Sequence, residues 1–164
     1  MGTNLIGTLT VVNPAQPGAW APAAAYAAFT LAQALTQVHL ANPGTPLLWA
    51  FSSTHAGYEF KFGYDVQVAA LVPVIGALPN AKIGHVALTP SATISGEIIP
   101  VGAAWELDNN SGAWGAMANV DGKSTMMATA AQLISACDPG GAVVTARRAY
   151  SRVGWRRAIQ QVFR

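Results

Sequence analysis

The chain has 164 residues, 52% of them hydrophobic and only 10% charged, with a formal net charge of +2. That length fits one domain with a real core, and that apolar content excludes intrinsic disorder for most of the chain. The net charge hides a segregation: Lys61, Lys82 and Lys123 stand against seven acids before residue 147, a formal −4, and the last eighteen residues carry six arginines and no acid.

The low charge leaves little polar material to cover a monomer, which points to self-association or a protein partner. No segment is long and apolar enough for a transmembrane helix, because Pro73 and Gly76 break the most apolar stretch, Val66–Leu78. The N-terminus lacks the charged start and cleavage site of a secretory signal, and Ile6 sits where a myristoylation signal needs Ser or Thr. Cys137 is alone, so neither an internal disulfide nor a cysteine zinc site is expected. Together these features fit a cytoplasmic protein, without excluding export that needs no cleaved signal.

In chain order, residues 4–12 read as a strand rich in β-branched types. Asn13-Pro14 and Pro17-Gly18 make a loop. A helix is expected from about Pro22 to Val38, with Ala24, Ala28, Leu31, Leu35 and Val38 on one face. Leu47–Phe51 is a short apolar strand. Residues 58–68 alternate strictly, placing Tyr58, Phe60, Phe62, Tyr64, Val66 and Val68 on one side and Glu59, Lys61, Asp65 and Gln67 on the other. One wet face implies an antiparallel sheet.

Lys82–Leu88 and Thr93–Ile99 read as strands. Gly102–Leu107 and Ala113–Val120 flank Asp108-Asn109-Asn110-Ser111-Gly112 as a hairpin with a slightly long turn. Ser124 or Thr125 caps a helix whose buried stripe is Met126, Ala130, Leu133, Ile134 and Cys137. Asp138-Pro139-Gly140-Gly141 ends it. Ala142–Tyr150 is a last strand, and Ser151–Arg164 a short helix or arm. The sum is a single α+β domain over residues 1–164, built on a mainly antiparallel sheet with two or three helices.

Two patterns carry possible chemistry. In the tail, Arg147, Arg148, Arg152, Arg156 and Arg157 are interleaved with Trp155. Guanidinium forks bind phosphate and indole rings stack on bases, so the tail is a candidate nucleic-acid contact. The alternative is a terminal helix with Trp155, Ile159, Val162 and Phe163 packed on the body. Among the carboxylates, Glu97 and Glu106 lie in apolar surroundings. Burial of either would raise its pKa and fit it for acid–base work, whereas a wet-face position would leave it inert.

The histidines show no metal-site spacing. His39 ends a helix, His55 follows the hydroxyl cluster Ser52-Ser53-Thr54, and His85 breaks an apolar run. A Ser–His pair at Ser52–His55 lacks any visible third group or oxyanion hole. Glycines occur without the spacing of a Rossmann or P-loop motif, and no cofactor is identified.

Gly84-His85, followed by Gly102 to Gly115 with its DNNSGAW turn, then a helix and a strand, resembles a module of bacterial effector and polymorphic-toxin-like proteins. The resemblance covers roughly residues 83–150. Trp114 stands where that module more often has tyrosine, and Ala104 where it has an acid. By position, the resemblance marks His85, Asn109, Asn110 and Ser111 as candidate catalytic residues, and it implies an effector-like domain acting on or binding another cell component. A plain hairpin tip would also explain the turn, since Asn and Gly tolerate left-handed angles and Ser and Asp bond their own backbone.

Overall fold

The structure, a computed structural model, describes residues 2–66, 85–111 and 120–147, and for residues 85, 86 and 120–123 the backbone only. Among the described residues seven strands form one curled sheet: β1 (Gly2–Val11), β2 (Ala19–Pro22), β3 (Leu47–Ser53), β4 (Tyr58–Val66), β5 (Ile94–Val101), β6 (Ala104–Leu107) and β7 (Val144–Ala146). Their order is β2-β1-β4-β3-β5-β6-β7. All pairs are antiparallel except β6 with β7, which the chain joins through helix α3 (Val120–Cys137). The mainly antiparallel α+β domain expected from the sequence is the one observed.

One face of the sheet carries the core. Leu9, Phe60, Phe51 and Ile94 stand side by side across β1, β4, β3 and β5. Trp49 sits opposite Phe62 on one side and Gly96 on the other. A bulge between Leu5 and Gly7 resets the alternation of β1, so Ile6, Leu9 and Val11 are all buried. Onto this face pack α1 (Leu31–Ala41), through Leu31, Ala34, Leu35 and Val38, and α3, through Met127, Ala130, Ala131, Leu133, Ile134 and Cys137. Full burial of a Phe60- or Phe62-sized side chain contributes up to about 3 kcal/mol, so the alternating β4 pattern is the main apolar seam of the domain. The other face is covered in part by α2 (His85–Leu88), whose Leu88 lies against Gly63.

Four expectations are corrected. The helix expected from Pro22 begins at Leu31 instead. Ala19–Pro22 is an edge strand, followed by a short 3-10 turn at Ala24–Tyr26. Thr30 fixes the start with a capping box: its Oγ1 accepts from the Gln33 N–H at 3.3 Å, and the Thr30 N–H donates to Gln33 Oε1 at 2.9 Å. The described part of the expected strand Lys82–Leu88 is one helical turn, a confusion inherent to short apolar runs. α3 opens at Val120, so Ser124 and Thr125 lie inside it and do not cap it, and its buried stripe runs through Met127, not Met126, which is exposed.

The fourth correction concerns the hairpin. The observed turn is Gly102-Ala103, between β5 and β6, with Gly102 at φ +61°. A strand has two edges, and those of β6 are taken by β5 and β7. The partner of β6 in the observed hairpin is therefore β5, not the expected strand Ala113–Val120. Residues 112–119 lie outside the described residues, and Val120 opens α3.

Candidate functional site

Asp108, Asn109 and Ser111 do not form an exposed tip. After β6 ends, residues 108–111 continue along β5, where Asp108, Asn109 and Ser111 are buried. The Asp108 N–H donates to the Glu97 carbonyl at 3.0 Å, and the Asp108 carbonyl accepts from Trp49 Nε1 at 2.9 Å. Asp108 Oδ1 accepts from the Glu97 N–H at 2.8 Å and from the Asn110 N–H at 2.9 Å. One aspartate thus ties β5, β3 and the turn together. Gly96 makes the approach possible, because a Cβ there would lie 1.8 Å from the Asp108 carbonyl oxygen.

This knot sets up Glu97. Asn110 Nδ2 donates to Glu97 Oε1 at 3.1 Å. The carboxyl is half-buried, and its pKa rises from 4.5 to about 7. Desolvation is the main cause, and the nearby Asp108 charge adds to it; the Asn110 hydrogen bond works the other way. Ser95 and Ser111 share a buried Oγ–Oγ contact of 2.7 Å on the next β5 position of the same face.

Glu97 lines a hollow of about 290 Å³ together with His39, Pro46, Leu47, Ile98 and Pro100. Beside it lies a second hollow of about 460 Å³ between α1 and the β5–β6 hairpin, and the two share His39 and Pro100. A carboxyl that changes protonation near neutrality, oriented by an amide at the wall of a cleft, can take up or release a proton.

The raised pKa has a consequence for stability. The folded state holds the Glu97 proton more tightly than the unfolded chain, so this contribution is complete below pH 4.5 and is lost as pH rises through about 7. Discounted for its partial exposure, the loss is about 1–2 kcal/mol. Urea melts from pH 4.5 to 8 are expected to show that decline in the wild-type chain, and a flatter profile in Glu97→Gln.

Of the four residues marked by the effector-like resemblance, Asn109, Asn110 and Ser111 gather on β5, and Asn110 touches Glu97. His85 opens α2, which packs on β1, β3 and β4. Both carboxylates are partly buried; Glu97 has the raised pKa, and Glu106 pairs with Arg147. That pairing engages the only tail arginine among the described residues. Arg148, Arg152, Trp155, Arg156 and Arg157 lie outside them. The Ser52 hydroxyl donates to the Ser91 carbonyl at 2.8 Å, and His55 is exposed in the β3–β4 loop. Among the described residues no cluster of three metal-ligating side chains occurs, and no helix is long and apolar enough to cross a membrane.

Sequence patterns missed His39, Gln37 and Trp105 as cleft residues. The helical spacing of Gln33, Thr36, Gln37 and His39 was visible, but nothing local shows that the β5–β6 hairpin faces it. No protein-family model matches this chain, and neither the curated proteins nor the solved structures hold a significant match to it.

Proposed function

We propose that this chain is an effector- or toxin-like domain that acts on another cell component through the cleft at Glu97, with Glu97 as the proton-transferring group. The observation that carries this reading is the Glu97 carboxyl, raised to about 7 and held by Asn110, on a residue that also lines the hollow beside His39. A carboxyl whose proton affinity is raised by desolvation and a specific charged neighbour is a candidate for a working site. Asn110 orients the carboxyl and Asp108 holds the turn that delivers Asn110. The DNNSG signature then has a physical purpose, the placement of one amide on one acid.

The test is induced expression in a laboratory bacterium, with viable counts for the wild-type chain, Glu97→Gln and Asn110→Ala. Wild-type expression is expected to depress growth. Glu97→Gln is expected to restore it, since loss of a general acid or base lowers rates about 10²–10⁴-fold. Asn110→Ala is expected to fall between the two. Unimpaired growth with the wild-type chain contradicts the effector reading. Equal arrest by Glu97→Gln moves the working site elsewhere.

A further inference from the structure

Three tryptophans lie among the described residues, and their indole N–H groups are treated differently. Trp20 Nε1 donates to the Phe29 carbonyl at 3.0 Å, and Trp49 Nε1 to the Asp108 carbonyl at 2.9 Å. Trp105 is only 6% exposed, yet its indole N–H has no hydrogen-bond partner among the described residues. It is also not one of the fully sealed, unpartnered atoms, a condition met there by Asp138 Oδ1 alone. A nearly buried indole with an unspent, accessible donor is unusual, because buried tryptophans usually find a partner. Trp105 forms part of the wall of the 460 Å³ hollow.

The rest of that wall is specific in its chemistry. Phe29 and Pro100 supply apolar surface; Gln33, Thr36 and Gln37 supply amides and a hydroxyl from one side of α1. Gln33 spends its Oε1 on the Thr30 cap, which leaves its amide donors for other partners. Thr36 spends its hydroxyl proton on the Ala32 carbonyl, which leaves an acceptor. Among the described residues no lysine or arginine lines either hollow, and the one carboxyl is Glu97. A phosphate or carboxylate ligand would meet Glu97 without a compensating lysine or arginine from the described residues. A purely apolar ligand would strand the amides and the indole N–H. The volume lies within the range of about 300–1,000 Å³ typical of small-ligand sites.

Resting on the proposed effector reading and naming its ligand class, we infer that the cleft binds an uncharged saccharide. The indole N–H of Trp105 donates to a sugar oxygen, the ring's C–H face lies on Phe29 and Pro100, and Gln33, Thr36 and Gln37 bond the hydroxyls. The adjoining hollow places the next sugar of the chain beside His39 and Glu97.

The experiment is a titration of the full chain, followed by NMR at the tryptophan indole and glutamine amide resonances. The probes are maltotriose, N,N′-diacetylchitobiose and, as an anionic comparator, sodium phosphate. Saturable shifts with either saccharide are expected; which one saturates separates a plain glucan from an N-acetylated glycan. Trp105→Phe keeps an aromatic side chain but deletes the donor with its pyrrole ring, and is expected to weaken binding about three- to tenfold. Gln37→Ala, on the exposed side of α1, is expected to weaken binding to a similar degree with the fold intact. No saturation by either saccharide, saturation by phosphate in their place, or unchanged affinity in both variants overturns the inference. Arrest that depends on Glu97 without saccharide binding overturns the ligand class alone. Saccharide binding without any arrest keeps the ligand class and overturns the effector reading.

Discussion

Gly96→Ala is expected to cost about 3–5 kcal/mol and to leave little folded protein at 37 °C. The added Cβ would lie 1.8 Å from the Asp108 carbonyl oxygen and 2.6 Å from its carbon, both backbone atoms that no rotamer change can move. The segment after β6 would have to lift off β5. That motion breaks the Asp108 N–H bond to Glu97 and takes the acceptor from Trp49 Nε1, leaving an indole N–H buried without a partner. Gly102→Ala is the matched control. Gly102 has open space where a Cβ would go, but a φ of +61°, so alanine there meets backbone strain of about 1–2 kcal/mol and no clash. Urea melts of the two variants separate close approach from strain. A Gly96→Ala loss no larger than that of Gly102→Ala would mean that Asp108 does not lie over β5 as described.

Asp108→Ala is expected to lose about 2–4 kcal/mol, because it removes one acceptor from two backbone N–H groups at once. Asp108→Asn keeps a side-chain oxygen and is expected to lose about half as much. The two also report on the site. The Asp108 charge helps to raise the Glu97 pKa, so both replacements are expected to move that pKa down. The sign for stability follows directly. In the wild-type chain the Glu97 contribution disappears as pH rises from 4.5 through about 7; in Asp108→Asn that window closes earlier at its upper end. Melts at pH 5 and pH 8 measure both effects. An unchanged window would mean that desolvation alone sets the Glu97 proton affinity.

The elements legible in the sequence are those whose signal is periodic and local. Residues 58–66 alternate, and Phe60 and Phe62 are fully buried as the alternation requires. In α3, four of the five expected stripe residues are buried, and only Met126 gives way to Met127. The start of α1 was misplaced: Pro22 drew the boundary upstream, while the capping box of Thr30 and Gln33 sets it at Leu31. The role of Asp108 was not legible. Its turn composition is that of an exposed tip, and only a glycine twelve residues earlier, on the neighbouring strand, lets it pack inward. Glu97 stands between these cases. Its identity allowed a raised pKa, but the burial that produces it comes from residues 108–110, a contact across strands.

The direct measurement is a carbon-13 NMR titration of the Glu97 side-chain carboxyl in the full chain, from pH 3 to 9, assigned with Glu97→Gln. An inflection near 7 is expected, moving lower in Asp108→Asn. An inflection at the ordinary value of 4.5 would place the carboxyl in free solvent and remove the basis for a proton-transferring cleft at Glu97.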